Sequence, residues 1–275
     1  MKRKPGFVFF LVLFSMLQAI NVLAGYPKRI ISLAPSLTKT IYLLHAENQM
    51  VGCTSFCVLE HPDDAQVVAS AVQVNIEKAA LLKPDLVLTS SLTNPETIQT
   101  FRKLGIETLN FPYPKSFDDI CRYVQILGAK LGKEELADSI VASAGKKLAL
   151  VRAKVPKVTT KPSVFFQIGA NPLFAVVPNT FMQDFIDFAG CRNIAGDLTR
   201  GSITRESVLV RNPDIIIITM MGSVSGEEMN KWETYKNLNA VKNHKILLID
   251  QEKACSPTPE LFVEALDEII SYVYH

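Results

Sequence analysis

Histidine and tryptophan are scarce in this chain of 275 residues, which has four of the first and one of the second. His45, His61, His244 and His275 lie far apart, a spacing that speaks against the clustered imidazoles of a metal-ion binding protein. The five cysteines, Cys53, Cys57, Cys121, Cys191 and Cys255, are an odd number and form no disulfide framework. Cys53 and Cys57 stand four apart, but no second close Cys or His pair completes a tetrahedral zinc set. No phosphate loop, dinucleotide-binding glycine motif or nucleophile elbow occurs; residues 222–226 read Gly-Ser-Val-Ser-Gly, with Val224 where a nucleophile would stand. Nothing nominates a nucleophile and its base, so no catalytic residue is assigned. Positive charge is also lacking. Without Lys2, Arg3 and Lys4 the formal charge falls from +2 to −1, too little field to draw nucleic acid.

The chain does carry an export leader. Lys2, Arg3 and Lys4 form a basic start, residues 7–17 an apolar stretch, and Val22-Leu23-Ala24 a small-residue cleavage site. The apolar stretch is shorter than the roughly 20 residues a spanning helix requires, and no later run replaces it. The mature chain is expected to begin at Gly25. No cysteine follows Ala24, so a free protein in the periplasm of a double-membraned bacterium is expected rather than a lipid-anchored one.

What remains reads as α/β. Short apolar runs at 29–33, 50–53, 85–89, 106–110, 163–167, 214–219 and 245–249 alternate with helical patterns, as in parallel strands joined by crossover helices. One helix is clearly punctuated: Asn94 can cap it, Pro95 opens it and Gly105 ends it after Leu104. Between Asn110 and Ser163 no strand signal occurs. Over residues 133–155, Leu136, Ile140, Val141, Ala144, Leu148 and Val151 recur at three- and four-residue spacing, predicting a long amphipathic helix ended by Pro156 and Pro162. Such a helix is either a crossover within one sheet or a strut between two lobes.

An internal echo favours the strut. Asn75-Ile76-Glu77 leads to Lys83-Pro84-Asp85 and an apolar strand, and Thr204-Arg205-Glu206 leads to Asn212-Pro213-Asp214 and another. In both copies a cap residue, a first-turn glutamate, a helix, a Pro-Asp corner and a buried strand follow in the same spacing. Glutamate in a first helical turn is favoured by the helix dipole, so capping alone accounts for each one. Matched positions in two lobes also suit docking on a two-fold symmetric partner.

At this point a family resemblance is evident. RIISLAPSLT at 29–38, Val51-Gly52, NIE at 75–77 and LKPDLV at 82–87 resemble the N-terminal lobe of the periplasmic cobalamin and ferric-siderophore binding proteins of ABC importers. FFQIGANPLF at 165–174, TRE at 204–206 and Pro213-Asp214 resemble their C-terminal lobe, closest to the cobalamin binders. The resemblance implies two α/β lobes joined by one long rigid backbone helix, with the ligand cleft between them. It divides the chain into a leader (1–24), an N-terminal lobe (25–132), a linking helix (133–156) and a C-terminal lobe (157–275). It further implies a monomer without cofactor that binds a small ligand and presents Glu77 and Glu206 to the permease dimer in the inner membrane.

For the ligand, the resemblance places Phe56 against a corrinoid and Gln251, Glu252, Lys253 and Ala254 opposite it. Where cobalamin binders carry two tryptophans on the corrin, this chain has Ala71 and Arg200. Arg200 suits the anionic groups of a ferric siderophore or haem, or else pairs with Asp197 or Glu206. Corrinoid capture is the first expectation and iron-chelate capture the second; an extracytoplasmic metal-chelate enzyme is a distant third. The lone Trp232 lies outside every matched motif.

Overall fold

The computed structural model describes residues 25–61, 64–70, 73–157, 159–219 and 225–275. The leader, Ala71 and residues 222–224 fall outside the described residues. In the N-terminal half, strands β1 (Ile30–Ser32), β2 (Met50–Thr54), β3 (Gln66–Ala69), β4 (Leu86–Ser90) and β5 (Glu107–Phe111) form an all-parallel sheet in the order β3-β2-β1-β4-β5. Helices α1 (Pro35–Leu43), α2 (Ile76–Leu81) and α3 (Pro95–Lys103) make the crossovers. As the sequence predicts, Asn94 caps α3 by accepting from the Glu96 N–H at 2.8 Å, and Gly105 follows it with φ +76.

Two long helices come next, α4 (Phe117–Leu131) and α5 (Glu134–Arg152). The second half holds a separate sheet. Its strands β6 (Ser163–Ala170), β9 (Ile215–Ile218) and β10 (Ile246–Leu248) run parallel, while β7 (Leu173–Ala175) pairs antiparallel and the short β8 (Arg192–Asn193) parallel to the free edge of β6. Helices α6 (Phe181–Phe188), α7 (Arg205–Arg211), α8 (Ser225–Glu233), α9 (Asn239–Lys242), α10 (Gln251–Ala254) and α11 (Pro259–Tyr274) complete this half. The two sheets do not join, and each lobe has its own core.

The central strands read as unbroken apolar runs because both of their faces are covered. Ile30, Leu86 and Leu88 pack on one side of the first sheet while Ile31 and Val87 pack on the other. In the second sheet Val164, Phe166, Ile215 and Ile217 face one layer, and Phe165, Ile216 and Ile218 the opposite one.

Helix α5 links the cores. Ala137 and Ile140 on its first turns belong to the N-terminal core, Ala144, Leu148 and Val151 to the C-terminal core, and Val141 touches both. Helix α4 does the same in reverse: Phe117, Ile120 and Cys121 lie in the C-terminal core, Val124, Leu127 and Leu131 in the N-terminal one. The strut expected from the sequence therefore has a partner packed along it. The pair sits close because Gly128 lacks a side chain; a Cβ there would stand 2.5 Å from the Ala137 Cβ. Gly132, with φ +68, lets the chain reverse between the two helices.

The sequence echo is a structural repeat. Asp85 accepts from the backbone N–H groups of Lys28 and Arg29 at 2.8 and 3.0 Å, and Asp214 accepts from the Ser163 N–H at 2.9 Å and its hydroxyl at 2.6 Å. In each lobe the aspartate before one central strand thus ties down the entrance of its neighbour. The preceding residues but one, Lys83 and Asn212, both take left-handed backbone angles, with φ +47 and +43.

Candidate functional site

In a parallel sheet, loops and helix N-termini gather at the carboxyl ends of the strands. Here those ends converge from both lobes on one cavity of about 310 Å³. The N-terminal lobe supplies the start of α1 from Ala34 to Leu37, the Ser90–Leu92 turn after β4, and the Phe111–Pro114 segment after β5. The C-terminal lobe supplies Ile168 at the end of β6, Phe181 and Met182 opening α6, and Cys255, Ser256 and Pro257 after α10. Ile120 and Tyr123 of α4 form part of the wall between them.

The walls are mainly apolar and hold no charged side chain. Desolvation, with the nearby Cys255 thiol, pushes the Tyr113 hydroxyl up to about 12, and burial pushes the Cys255 thiol up as well. Both groups stay neutral at neutral pH. Two helix starts face the space without a side-chain cap, at Ala34 before α1 and Thr180 before α6. Charge appears beside the cavity, where Lys39 of α1 reaches across to α10 and meets the Glu252 carboxylate at 2.7 Å and its carbonyl at 2.6 Å. This ion pair ties one lobe to the other.

The residues singled out in the sequence all follow strand carboxyl ends or open the helices beyond them. Phe56 sits half-exposed in the turn after β2, with its N–H donating to Thr54 Oγ1 at 3.2 Å. Arg200 is exposed in the loop before α7. Asp197 does not engage it, because both of its carboxylate oxygens are taken by Arg211. Gln251, Glu252, Lys253 and Ala254 form α10, where Asp250 caps the helix by accepting from the Glu252 N–H at 2.8 Å. Ala254 is buried in the C-terminal core, Lys253 lies 3.8 Å from Glu268, and Glu252 is held by Lys39. None of these residues is part of the cavity wall; the chain enters it one position later, at Cys255.

Sequence reasoning missed the wall itself. Tyr113 between Pro112 and Pro114, directly after a strand, was the available signal, since a rigid aromatic at a strand's carboxyl end belongs to a loop that presents it. Phe181 and Met182 gave none, being indistinguishable from core residues.

Glu77 and Glu206 are exposed in the first turns of α2 and α7. The caps expected from the sequence are present: Asn75 accepts from the Lys78 N–H at 2.8 Å and Thr204 Oγ1 from the Ser207 N–H at 3.2 Å. The Glu206 backbone N–H and the Thr204 hydroxyl hold the Glu206 carboxyl below the usual carboxylate range. Trp232 has a structural role. It is fully buried, donates from Nε1 to Gln167 Oε1 at 2.6 Å and lies under the Arg205 guanidinium, 4.6 Å from the ring centre. The buried Glu228 carboxylate bonds Arg205, the Lys231 amine at 2.8 Å and the Gln167 amide at 2.9 Å.

Among the described residues no three His, Cys, Asp or Glu side chains converge as metal ligands, and no helix is long and apolar enough to cross a membrane. An ABC transporter substrate-binding lipoprotein of Bacillus subtilis, YvrC, is 28% identical over 90% of this chain and 80% of its own length. A vitamin B12-binding protein of Vibrio cholerae is 24% identical over 90% of this chain and 89% of its own. The solved periplasmic haem-binding protein RhuT from Roseiflexus superposes with a TM-score of 0.78 at 21% identity, covering 90% of this chain and 98% of that one, and so shares the two-lobed fold. The profile of the periplasmic binding proteins matches residues 30–253. The chain belongs to the periplasmic binding protein family, the solute-capturing components of ABC transporters.

Proposed function

We propose that this protein captures a corrinoid in the interlobe cleft, in the periplasm, and hands it to an ABC permease dimer that docks on Glu77 and Glu206. The observation that carries the reading is the uncharged, largely apolar cavity built from the strand ends of both lobes. Such walls favour one face of a broad, weakly polar macrocycle, while the uncapped start of α1 offers N–H groups to its amide or phosphate edges. At about 310 Å³ the cavity takes only part of a corrinoid, and the remainder lies toward Phe56 and α10. We take the lobes as 25–132 and 157–275, the link as 133–156, and residues 1–24 as a removed leader. The similarity to the Vibrio vitamin B12-binding protein supports this ligand class.

Arg200 favours a second reading, capture of a ferric siderophore or haem, because it is exposed while Asp197 is engaged by Arg211. The absorption spectrum of protein purified from its own host separates the readings, since corrinoids, haem and ferric catecholates absorb differently in the visible. A corrinoid spectrum is expected; a haem or ferric spectrum moves the second reading ahead.

Phe56→Ala is expected to weaken corrinoid binding by about 1–3 kcal/mol, roughly five- to 150-fold, through loss of apolar contact. Arg200→Ala should leave corrinoid affinity unchanged. Calorimetric titration checks both, and a selective loss of haem binding in the Arg200 variant would favour the iron-chelate reading.

A further inference from the structure

We propose that Cys53 and Cys57 form a reversible intramolecular disulfide, with Cys57 as the attacking sulfur, so that the turn carrying Phe56 is a site of oxidative modification. Cys53 lies near the end of β2, and the next residue closes a tight turn, the Cys57 N–H donating to the Thr54 carbonyl at 3.1 Å. That turn brings position 57 back toward position 53; Cys53 lies in the N-terminal core cluster, Cys57 packs against the same cluster, and the two are not bridged. Two hydroxyls complete the surroundings of Cys57 Sγ: Thr38 Oγ1 at 3.0 Å and Thr54 Oγ1 at 3.2 Å. Hydrogen bonds from these donors stabilise a thiolate, the Cys53 thiol foremost, and bring Cys57 down to about 6. The same contact pushes Cys53 up. Cys53 is buried and Cys57 half-buried, so an incoming oxidant meets the thiolate first.

Among the described residues no other cysteine hydrogen-bonds to a second cysteine, and Cys121, Cys191 and Cys255 serve as internal controls. Burial pushes Cys121 and Cys191 up to about 12, and Cys255 sits by Thr219 with its thiol also raised. An extracytoplasmic setting lets a disulfide persist. The chemistry is thiol–disulfide exchange with a small disulfide as oxidant. The Cys57 thiolate attacks one sulfur of the donor, forming a mixed disulfide and expelling one thiolate. Cys53 then passes its proton to solvent and attacks Cys57 Sγ, expelling the second thiolate. Two protein thiols are oxidised by two electrons, and one donor disulfide is reduced to two thiols. The bond closes a ring around Thr54, Ser55 and Phe56.

The test is a thiol count on the mature chain, reduced or equilibrated with excess oxidised glutathione, denatured, alkylated and peptide-mapped. Alkylated cysteines should fall from five to three, with Cys53 and Cys57 protected as one linked peptide that dithiothreitol releases. Cys53→Ala should hold a lasting glutathione adduct on Cys57, and Cys57→Ser should leave Cys53 free to alkylate. Five alkylated cysteines after oxidation, or a lasting Cys57 adduct in the unmodified chain, would overturn the proposal. A linked Cys53 in the Cys57→Ser chain would do so too. The readout involves no solute or permease, so its failure is distinct from failure of the transport reading.

Discussion

Replacing Glu77 and Glu206 together by lysine is expected to abolish uptake through the cognate permease while ligand affinity and melting temperature stay close to those of the unmodified protein. Both carboxylates are exposed, each in the first turn of a short helix whose cap is supplied by another residue, Asn75 or Thr204. Their loss therefore leaves the caps in place and removes a small dipole interaction at each helix and, at Glu206, exposed hydrogen bonds from its own N–H and the Thr204 hydroxyl. The helices follow β3 and β8, parallel strands, so their N-termini lie at the cleft-bearing edge of each lobe. Two matched negative charges on that edge suit arginine pockets of a two-fold symmetric permease, and reversing their sign replaces attraction by repulsion across the interface. Glutamine at both positions should give an intermediate uptake defect. Binding, thermal unfolding and cellular uptake measured on the same variants separate docking from folding. Wild-type uptake by a folded double-lysine protein would leave the two glutamates as capping residues alone.

Arg205→Ala is expected to cost about 3 kcal/mol of stability, because it removes one partner from a buried carboxylate. Glu228 is fully buried, and among its three partners only Arg205 also covers the Trp232 ring. Lys231 and Gln167 remain, which keeps the loss at the lower end for a broken buried pair. A fall in melting temperature on the order of 5–10 °C follows. Burial works to raise the Glu228 carboxyl, but hydrogen bonds from Lys231, Gln167 and Arg205 together outweigh it and hold the group below the usual glutamate range. A depressed carboxyl stabilises the fold above its unfolded value and loses that contribution as pH falls through the folded one. The gap between unmodified and Arg205→Ala proteins should thus be full at neutral pH and shrink in acid below the ordinary glutamate range. Urea unfolding at several pH values checks both magnitude and direction. Since Arg205 adjoins Glu206, the cluster also fixes the helix start on which the Glu206 carboxylate stands.

Most strands that the sequence announced are buried on both faces, such as Ile215–Ile218, although the half-exposed edge strand Glu107–Phe111 was announced as well. The strands it concealed are marginal. Gln66–Ala69 is an edge strand with its first two residues exposed, while Leu173–Ala175 and Arg192–Asn193 owe their form to the free edge of β6 rather than to any pattern of their own. The strut was legible from the spacing of Ile140, Ala144 and Leu148, yet periodicity alone could not reveal that α4 crosses the same boundary. That depends on which core each turn of α4 meets, a tertiary fact. For the site, the echo favoured two similar lobes and the resemblance implied a cleft between them, but the wall residues of the cavity there are apolar and so resemble core. Only Tyr113, set between two prolines, stands out in retrospect.

The ligand is expected in the cavity between the lobes. Ser36 lines it at the start of α1 and is only partly buried, so Ser36→Trp fills the space without disturbing either core. Equilibrium titration of cyanocobalamin against unmodified protein and the Ser36→Trp variant should show one-to-one binding in the first and a loss of about a hundredfold or more in the second, some 2.7 kcal/mol, with unfolding curves alike. Equal affinity in a folded Ser36→Trp protein would place the ligand outside this cavity.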